Sequence, residues 1–110
     1  MIEIKKSCSK SAQNREWADG IIAVMQDTRL FSKPKQLYRC SASVLFSDRF
    51  ILLRSYATPI AIYDCYDNTL YDLLRIAYGY TSTSNQHIHK FLKWLAENNY
   101  PVNLFMRFTN

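Results

Sequence analysis

The stretch SASVLFSDRFILLRSY, residues 41–56, decides the fold class, because two apolar runs flank a short polar break. Both runs are rich in β-branched, aromatic and leucine residues, which is typical of buried strands. Ser47 and Asp48 between them are good turn residues. The stretch therefore predicts a β-hairpin.

Strand character continues towards the C-terminus. TPIAIYDCY, residues 58–66, predicts a third strand, and Pro59 favours an edge position or the start of that strand. TLYDLLRIAY, residues 69–78, allows two interpretations. It follows a two-residue turn, as the second strand of a hairpin would, yet its apolar residues also match helical spacing: Leu70, Leu73, Leu74 and Ala77.

Two further segments predict helices. Residues 11–26 have apolar residues at four-residue spacing, such as Trp17 and Ile21, although Gly20 inside the segment costs roughly 1 kcal/mol relative to alanine. Residues 83–98 have a regular apolar stripe, with Thr83 or Ser84 as the expected N-cap and an end near Asn98 and Asn99, ahead of Pro101. The stripe comprises Ile88, Phe91, Leu92 and Leu95.

Together these segments predict a single α+β domain over residues 1–110, with residues 1–10 as a candidate flexible basic arm. We expect an antiparallel sheet of three to five strands, packed around one core against the N-terminal helix and the long helix at 83–98. The chain has 110 residues and is 48% hydrophobic, which suits one compact domain.

Several classes of protein are disfavoured by composition. No apolar run approaches the roughly 20 residues of a membrane span, and the lysines near the N-terminus precede no apolar signal region. The cysteines Cys8, Cys40 and Cys65 are three in number, widely spaced and without a CxxC pair, so we expect reduced thiols and a cytoplasmic protein.

The net charge of +5 is unevenly distributed. Residues 1–54 contain ten Lys and Arg against five Asp and Glu, whereas residues 55–110 contain four of each. Within the first half, four basic residues fall in an eleven-residue segment without an acid: Arg29, Lys33, Lys35 and Arg39. Such a cluster can bind phosphates or an acidic protein face, or it can be a solvated surface without a partner.

Catalytic and metal-binding patterns are weak. His87 and His89 are two residues apart, so on a helix they point about 200° apart and cannot share one ion. Serines near them are explained by helix capping, and there is no GxSxG motif or glycine-rich phosphate loop. We therefore expect a protein that is not an enzyme, with no catalytic residues, metal or cofactor.

Tyrosine is the remaining signal, with six tyrosines in a 25-residue span from residue 56 to residue 80. Strand tyrosines can stack on bases or anchor a protein interface, and they can equally pack in a core. The candidate binding residues are Arg29, Lys33, Lys35, Arg39, Tyr56, Tyr63, Tyr78, Tyr80 and His87.

The segments LRSYATPIAIYD and YGYTSTSNQHIHKF together resemble a pattern found in small proteins of bacteriophages and mobile elements. That pattern is Ser-Tyr-x-Thr-x-(Val/Ile)-Ala, a turn, and then Tyr-(Ser/Thr)-x-Thr-(Thr/Ser)-x-x-His-(Ile/Val)-x-x-Phe. The matching positions cover about 40 residues and are Ser55, Tyr56, Thr58, Ile60, Ala61, Tyr80, Thr81, Thr83, Ser84, His87, Ile88 and Phe91.

The resemblance implies a strand at 69–78. The leucine-rich composition of that segment, in contrast, leaves the helix interpretation open. It also implies a context in which small proteins act as stoichiometric inhibitors of host defence, anti-CRISPR proteins among them. We therefore expect a non-enzymatic inhibitor that binds a host defence protein, such as a CRISPR effector or its RNA-bound complex. The alternative is a nucleic-acid-binding module that uses the Lys and Arg residues of positions 5–39 with strand tyrosines.

Overall fold

The computed structural model describes residues 11–25, 31–74 and 81–104, and it confirms the α+β class. These residues form α1 (Ser11–Met25), β1 (Lys35–Gln36), β2 (Ala42–Phe46), β3 (Phe50–Ser55), β4 (Thr58–Asp64), β5 (Thr69–Asp72), α2 (Ser82–Glu97) and β6 (Asn103–Leu104). The sheet has one strand more than the expected maximum, because two of its strands, β1 and β6, are only two residues long. The proposed basic arm at 1–10 lies outside the described residues.

The six strands lie side by side in chain order. Successive strands from β1 to β5 are antiparallel, whereas β6 runs parallel to β5 because α2 carries the chain back across the sheet. The predicted hairpin is formed by β2 and β3, with Phe46 paired to Ile51 and Ala42 paired to Ser55. Its turn is the polar break that the sequence predicts.

Helices cover both faces of this sheet, so the apolar residues form two clusters rather than the one core expected. Alternation along β3 sends Phe50 and Leu52 towards α1 and sends Ile51 and Leu53 towards α2. Because both faces are covered, the strands read as continuous apolar runs instead of alternating ones. The α1 cluster includes Trp17, Ala18, Ile21, Leu45, Ile62 and Tyr71, and the α2 cluster includes Val44, Tyr63, Leu70, Ile88, Phe91 and Leu95.

Strand β4 is central, and Pro59 occupies its second position. The pairing of β3 with β4 shifts its register near Pro59. Leu53 pairs with Ala61 but Arg54 pairs with Pro59, so Ile60 is an extra residue in β4. A proline has no backbone N–H to donate, and an irregularity near the strand start accommodates that loss. Of the two positions expected for Pro59, the strand start is the one observed.

The segment at 69–78 begins as a strand, which ends at Asp72. The next two residues, Leu73 and Leu74, are helical, and the Leu74 amide donates to Asp72 Oδ1 at 3.1 Å where the chain leaves the sheet. Residues 75–80 lie outside the described part of the chain. The strand interpretation is therefore confirmed for residues 69–72, and the helical interpretation for Leu73 and Leu74.

The long helix is confirmed, but its expected N-cap is wrong. Thr81 is the N-cap: its Oγ1 accepts from the Ser84 amide at 3.1 Å, and the Thr81 amide donates to Ser84 Oγ at 2.8 Å. This reciprocal capping box uses both partners, so the helix begins at Ser82 rather than after Thr83. At the other end, Asn99 has a left-handed backbone with φ of 63°, which ends the helix before Pro101.

The sheet has two ends that differ in chemistry. At the end that holds the β2–β3 and β4–β5 turns, the buried carboxylate of Asp64 accepts from Arg49 Nη2 at 2.7 Å and from the Tyr66 amide at 2.9 Å. The Arg49 guanidinium also lies 4.8 Å from the centre of the Tyr66 ring. The opposite end holds the β1–β2 and β3–β4 turns, and three of the candidate binding residues, Arg39, Tyr56 and His87, lie at or beside it.

Candidate binding surface

Three residues of the basic segment lie exposed along one edge of the sheet. Lys33 precedes β1, Lys35 lies within it, and Arg39 follows in the β1–β2 turn. A short edge strand flanked by lysines and by Pro34 is also how proteins prevent edge-to-edge pairing with other chains. The lysines therefore have a structural explanation that needs no partner. Arg29 lies outside the described residues.

Two exposed tyrosines lie in the two turns at this end of the sheet. Tyr38 in the β1–β2 turn is 40% exposed and Tyr56 in the β3–β4 turn is 66% exposed. The turns are joined directly, because the Tyr56 amide donates to the Ser41 carbonyl oxygen at 2.9 Å. We call Tyr38, Arg39 and Tyr56 the tyrosine surface.

Both tyrosines have left-handed backbones, with φ of 53° at Tyr38 and 57° at Tyr56. This region disfavours residues with a bulky side chain, and asparagine tolerates it much better. The other two non-glycine residues with positive φ in the described part of the chain are Asn68 and Asn99. Thus tyrosine, rather than asparagine, occupies the two left-handed positions that form this surface.

The Tyr38 side chain is held in place from α2. Its hydroxyl donates a hydrogen bond to Glu97 Oε1, and Lys93 Nζ lies 5.6 Å from the centre of its ring. The hydrogen bond to the carboxylate, with smaller contributions from burial and from the negative charge of Glu97, raises the pKa of Tyr38 to about 12. Tyr38 is a binding candidate that sequence reasoning missed. The signal available for it was a tyrosine inside the basic segment.

The buried ring of His87 packs against the ring of Tyr56. It is only 3% exposed, and its ring centre lies 6.1 Å from that of Tyr56 at an interplanar angle of 56°. Its Nδ1 lies 2.7 Å from the Oγ of buried Ser55. Burial, and then the positive charge of Lys90, lower the pKa of His87, so the ring is neutral at pH 7 and its Nδ1 shares one hydrogen bond with the serine hydroxyl.

A serine and a histidine in contact raise the question of nucleophilic catalysis. Ser55 and His87 are both buried, and the amide that follows Ser55 already donates to the Ser41 carbonyl, so it is not free to stabilise an oxyanion. What the pair does is join the end of β3 to the first half of α2.

Tyr63 is placed away from the surface. It is 0% exposed, and its hydroxyl donates to the Pro101 carbonyl oxygen at 2.5 Å and lies 3.1 Å from Asn68 Oδ1. Its ring meets Tyr100 edge to face at 5.7 Å between centres. Tyr63 therefore closes the core beside β6. Tyr78 and Tyr80 lie outside the described residues.

Metal and thiol chemistry have little support in the described residues. Among them, no cluster of three or more His, Cys, Asp or Glu side chains is arranged to hold a metal ion. Cys40 and Cys65 are free thiols, and burial raises the pKa of Cys65, which reduces its thiolate fraction. None of the helices within 11–25, 31–74 and 81–104 is long and apolar enough to cross a bilayer.

Comparison of the chain with protein-family models, with curated proteins and with solved structures found no match. The resemblance to small bacteriophage and mobile-element proteins therefore stays a prediction.

Proposed function

We propose that this protein is a non-enzymatic, stoichiometric protein binder whose contact site is the tyrosine surface. The observation that carries the proposal is the placement of Tyr38 and Tyr56, both exposed and both in left-handed turns that a tyrosine disfavours. Strained residues that the surrounding structure holds in place cluster at functional sites. At the other two such positions among residues 11–25, 31–74 and 81–104 the residue is asparagine, so backbone geometry alone does not explain the tyrosines.

The chemistry of the surface suits a protein partner with an acidic face. Tyrosine supplies a large contact area with little rotamer entropy, and tyrosine and arginine are enriched among the residues that dominate binding energy. Both rings are already supported in the free protein, Tyr38 by Glu97 and Lys93 and Tyr56 by His87, which lowers the entropy cost of association. Arg39, exposed in the same turn as Tyr38, supplies a positive charge.

The phage-like sequence pattern supports a more specific form of the proposal. In that context the partner is a host defence protein, such as a CRISPR effector or its RNA-bound complex, and the bound protein blocks its function. An acidic protein face is the complementary surface for a chain with a net charge of +5.

The test is an affinity pull-down from bacterial lysate with tagged wild-type protein, with and without nuclease, read by mass spectrometry. We expect one protein retained in stoichiometric amount after nuclease treatment. The double variant Tyr38→Asn/Tyr56→Asn should lose it, because asparagine keeps the left-handed turns but removes both rings. Tyr66→Asn, which removes a tyrosine 69% exposed at the opposite end of the sheet, is the matched control. Equal retention by the double variant would refute the proposal.

A second candidate function is supported by the edge arrangement. Lys33, Lys35 and Arg39 follow one edge that leads to two exposed tyrosines, as in sites that track a nucleic-acid backbone and stack its bases. If nucleic acid is the partner, the retained proteins disappear on nuclease treatment and affinity falls steeply with salt. Lys33→Ala with Lys35→Ala should then flatten that salt dependence by about two phosphate contacts.

A further inference from the structure

Tyr56 is held at two points by groups that belong to other elements. Its amide is fixed by the Ser41 carbonyl, and its ring rests on His87. His87 is itself fixed by Ser55, the residue that precedes Tyr56. Ser55, Tyr56 and His87 are therefore in mutual contact, and a buried ring on α2 packs against an exposed ring in the β3–β4 turn.

The surroundings of His87 suit a neutral ring and not a charged one. On α2 the neighbouring charge is Lys90, which repels a proton on the imidazole. On the sheet the ring meets Ser55, whose cross-strand partners Ala42 and Thr58 carry no charge. Arg54, the charged neighbour of Ser55, points to the α1 face by strand alternation.

We propose that His87 is a positioning residue for the tyrosine surface: the neutral imidazole holds Tyr56 ready for contact, and a proton on His87 releases it. This inference rests on the proposed function, since it assigns a pH dependence to the same surface. Its physical basis is the cost of a buried charge, which the protein avoids by opening the β3–β4 turn to water.

The direction follows from the pKa of His87, which burial lowers below its ordinary value of 6.5. Above pH 6.5 the ring is neutral whether the turn is closed or open, and the closed form is favoured in full. Between pH 6.5 and the lower pKa of the closed form, the open form takes up a proton more readily, so the closed form loses stability as the pH falls. Below that lower pKa the loss is complete.

The experiment follows the ring resonances of His87 and Tyr56 by NMR from neutral to acidic pH, and it needs no partner. In the wild type we expect both rings to shift with one shared midpoint below pH 6.5. His87→Asn places an amide oxygen near the position of Nδ1 and cannot titrate there, so the Tyr56 resonances should stay constant. His89→Asn, at an exposed position on the same helix, should leave the wild-type behaviour unchanged.

If His87→Asn does not fold, Ser55→Ala decides the matter. Loss of the hydroxyl removes the hydrogen bond that fixes the ring, so the midpoint of His87 should move, and the resonances of Tyr56 should follow it to the same new midpoint. The inference is overturned if the Tyr56 resonances do not shift together with those of His87 in the wild type. It is also overturned if they still shift with pH in His87→Asn.

Binding by the partner recovered in the pull-down is the second measurement. Wild-type affinity should fall about three- to tenfold across the same pH range, the cost of ordering about one side chain, and His87→Asn should show no such fall. Linked NMR shifts with a pH-independent wild-type affinity would overturn the assigned role in binding. If the wild type retains no partner at neutral pH, the proposed function is refuted instead. The NMR result alone then tests whether His87 positions Tyr56.

Discussion

Replacing Tyr56 by asparagine should cost the fold almost nothing. A tyrosine at φ of 57° has a penalty of roughly 1–2 kcal/mol that asparagine largely avoids, so the substitution relieves strain. Against this, the variant loses the ring contact with His87, worth about 0.5–1.5 kcal/mol. Since Tyr56 is 66% exposed, little further apolar burial is lost. The opposing contributions nearly cancel, and we expect a change in the free energy of unfolding within about 1 kcal/mol.

Urea unfolding followed by circular dichroism measures this change, and titration against the pull-down partner measures affinity. Tyr56→Asn should weaken binding about 30-fold, equivalent to about 2 kcal/mol for an anchor residue. Tyr66→Asn should leave binding within about threefold, as expected outside the contact site. A destabilisation above about 2 kcal/mol in Tyr56→Asn would mean that Tyr56 is retained for the fold. The argument for recognition from its strained backbone would then fail.

Three further outcomes test the remaining geometry. Arg49→Met should destabilise the protein by about 3 kcal/mol in urea unfolding, because the buried Asp64 carboxylate loses its cation; a cost below about 1 kcal/mol would class the pair as a surface ion pair. Thr81→Ala should cost about 1 kcal/mol through loss of the N-cap, and an unchanged unfolding midpoint would contradict that role. Glu97→Ala removes the acceptor and should lower the pKa of Tyr38 from about 12 towards its ordinary 10, seen as tyrosinate absorbance in alkaline titration; an unchanged pKa would exclude the hydrogen bond as its cause.

Local patterns were enough to predict most elements. The apolar stripe through Ile88, Phe91 and Leu95 is the buried face of α2, and the break at Ser47 and Asp48 is the turn between β2 and β3. These features depend on residues within a few positions of one another. The capping box escaped prediction because it needs Thr81 and Ser84 to bond each other's backbones, and several nearby hydroxyls fit the same pattern.

Contacts between residues far apart in the sequence could not be predicted from local patterns. Ser55 and His87 are 32 positions apart, and nothing in the spacing of either residue indicates that they form a hydrogen bond. Tyr63 and Tyr56 look equivalent as strand tyrosines, yet one is fully buried and the other is mostly exposed. Helices α1 and α2 cover opposite faces of the sheet, so a tyrosine within a strand, such as Tyr63, is buried. A tyrosine in a turn, such as Tyr56, stays exposed.

The basic segment and the tyrosine surface differ in how strongly they indicate a binding site. Lys33 and Lys35 border a two-residue edge strand, where positive charge is useful in any protein because it prevents the pairing of edges. That explanation does not extend to the turn that follows, where no strand needs protection. Tyr38 and Tyr56 cost backbone strain, remain exposed, and are braced by separate groups on α2. A surface that is maintained at a cost and fixed before any contact is the better candidate for recognition, so we propose that the two turns give the binding its specificity.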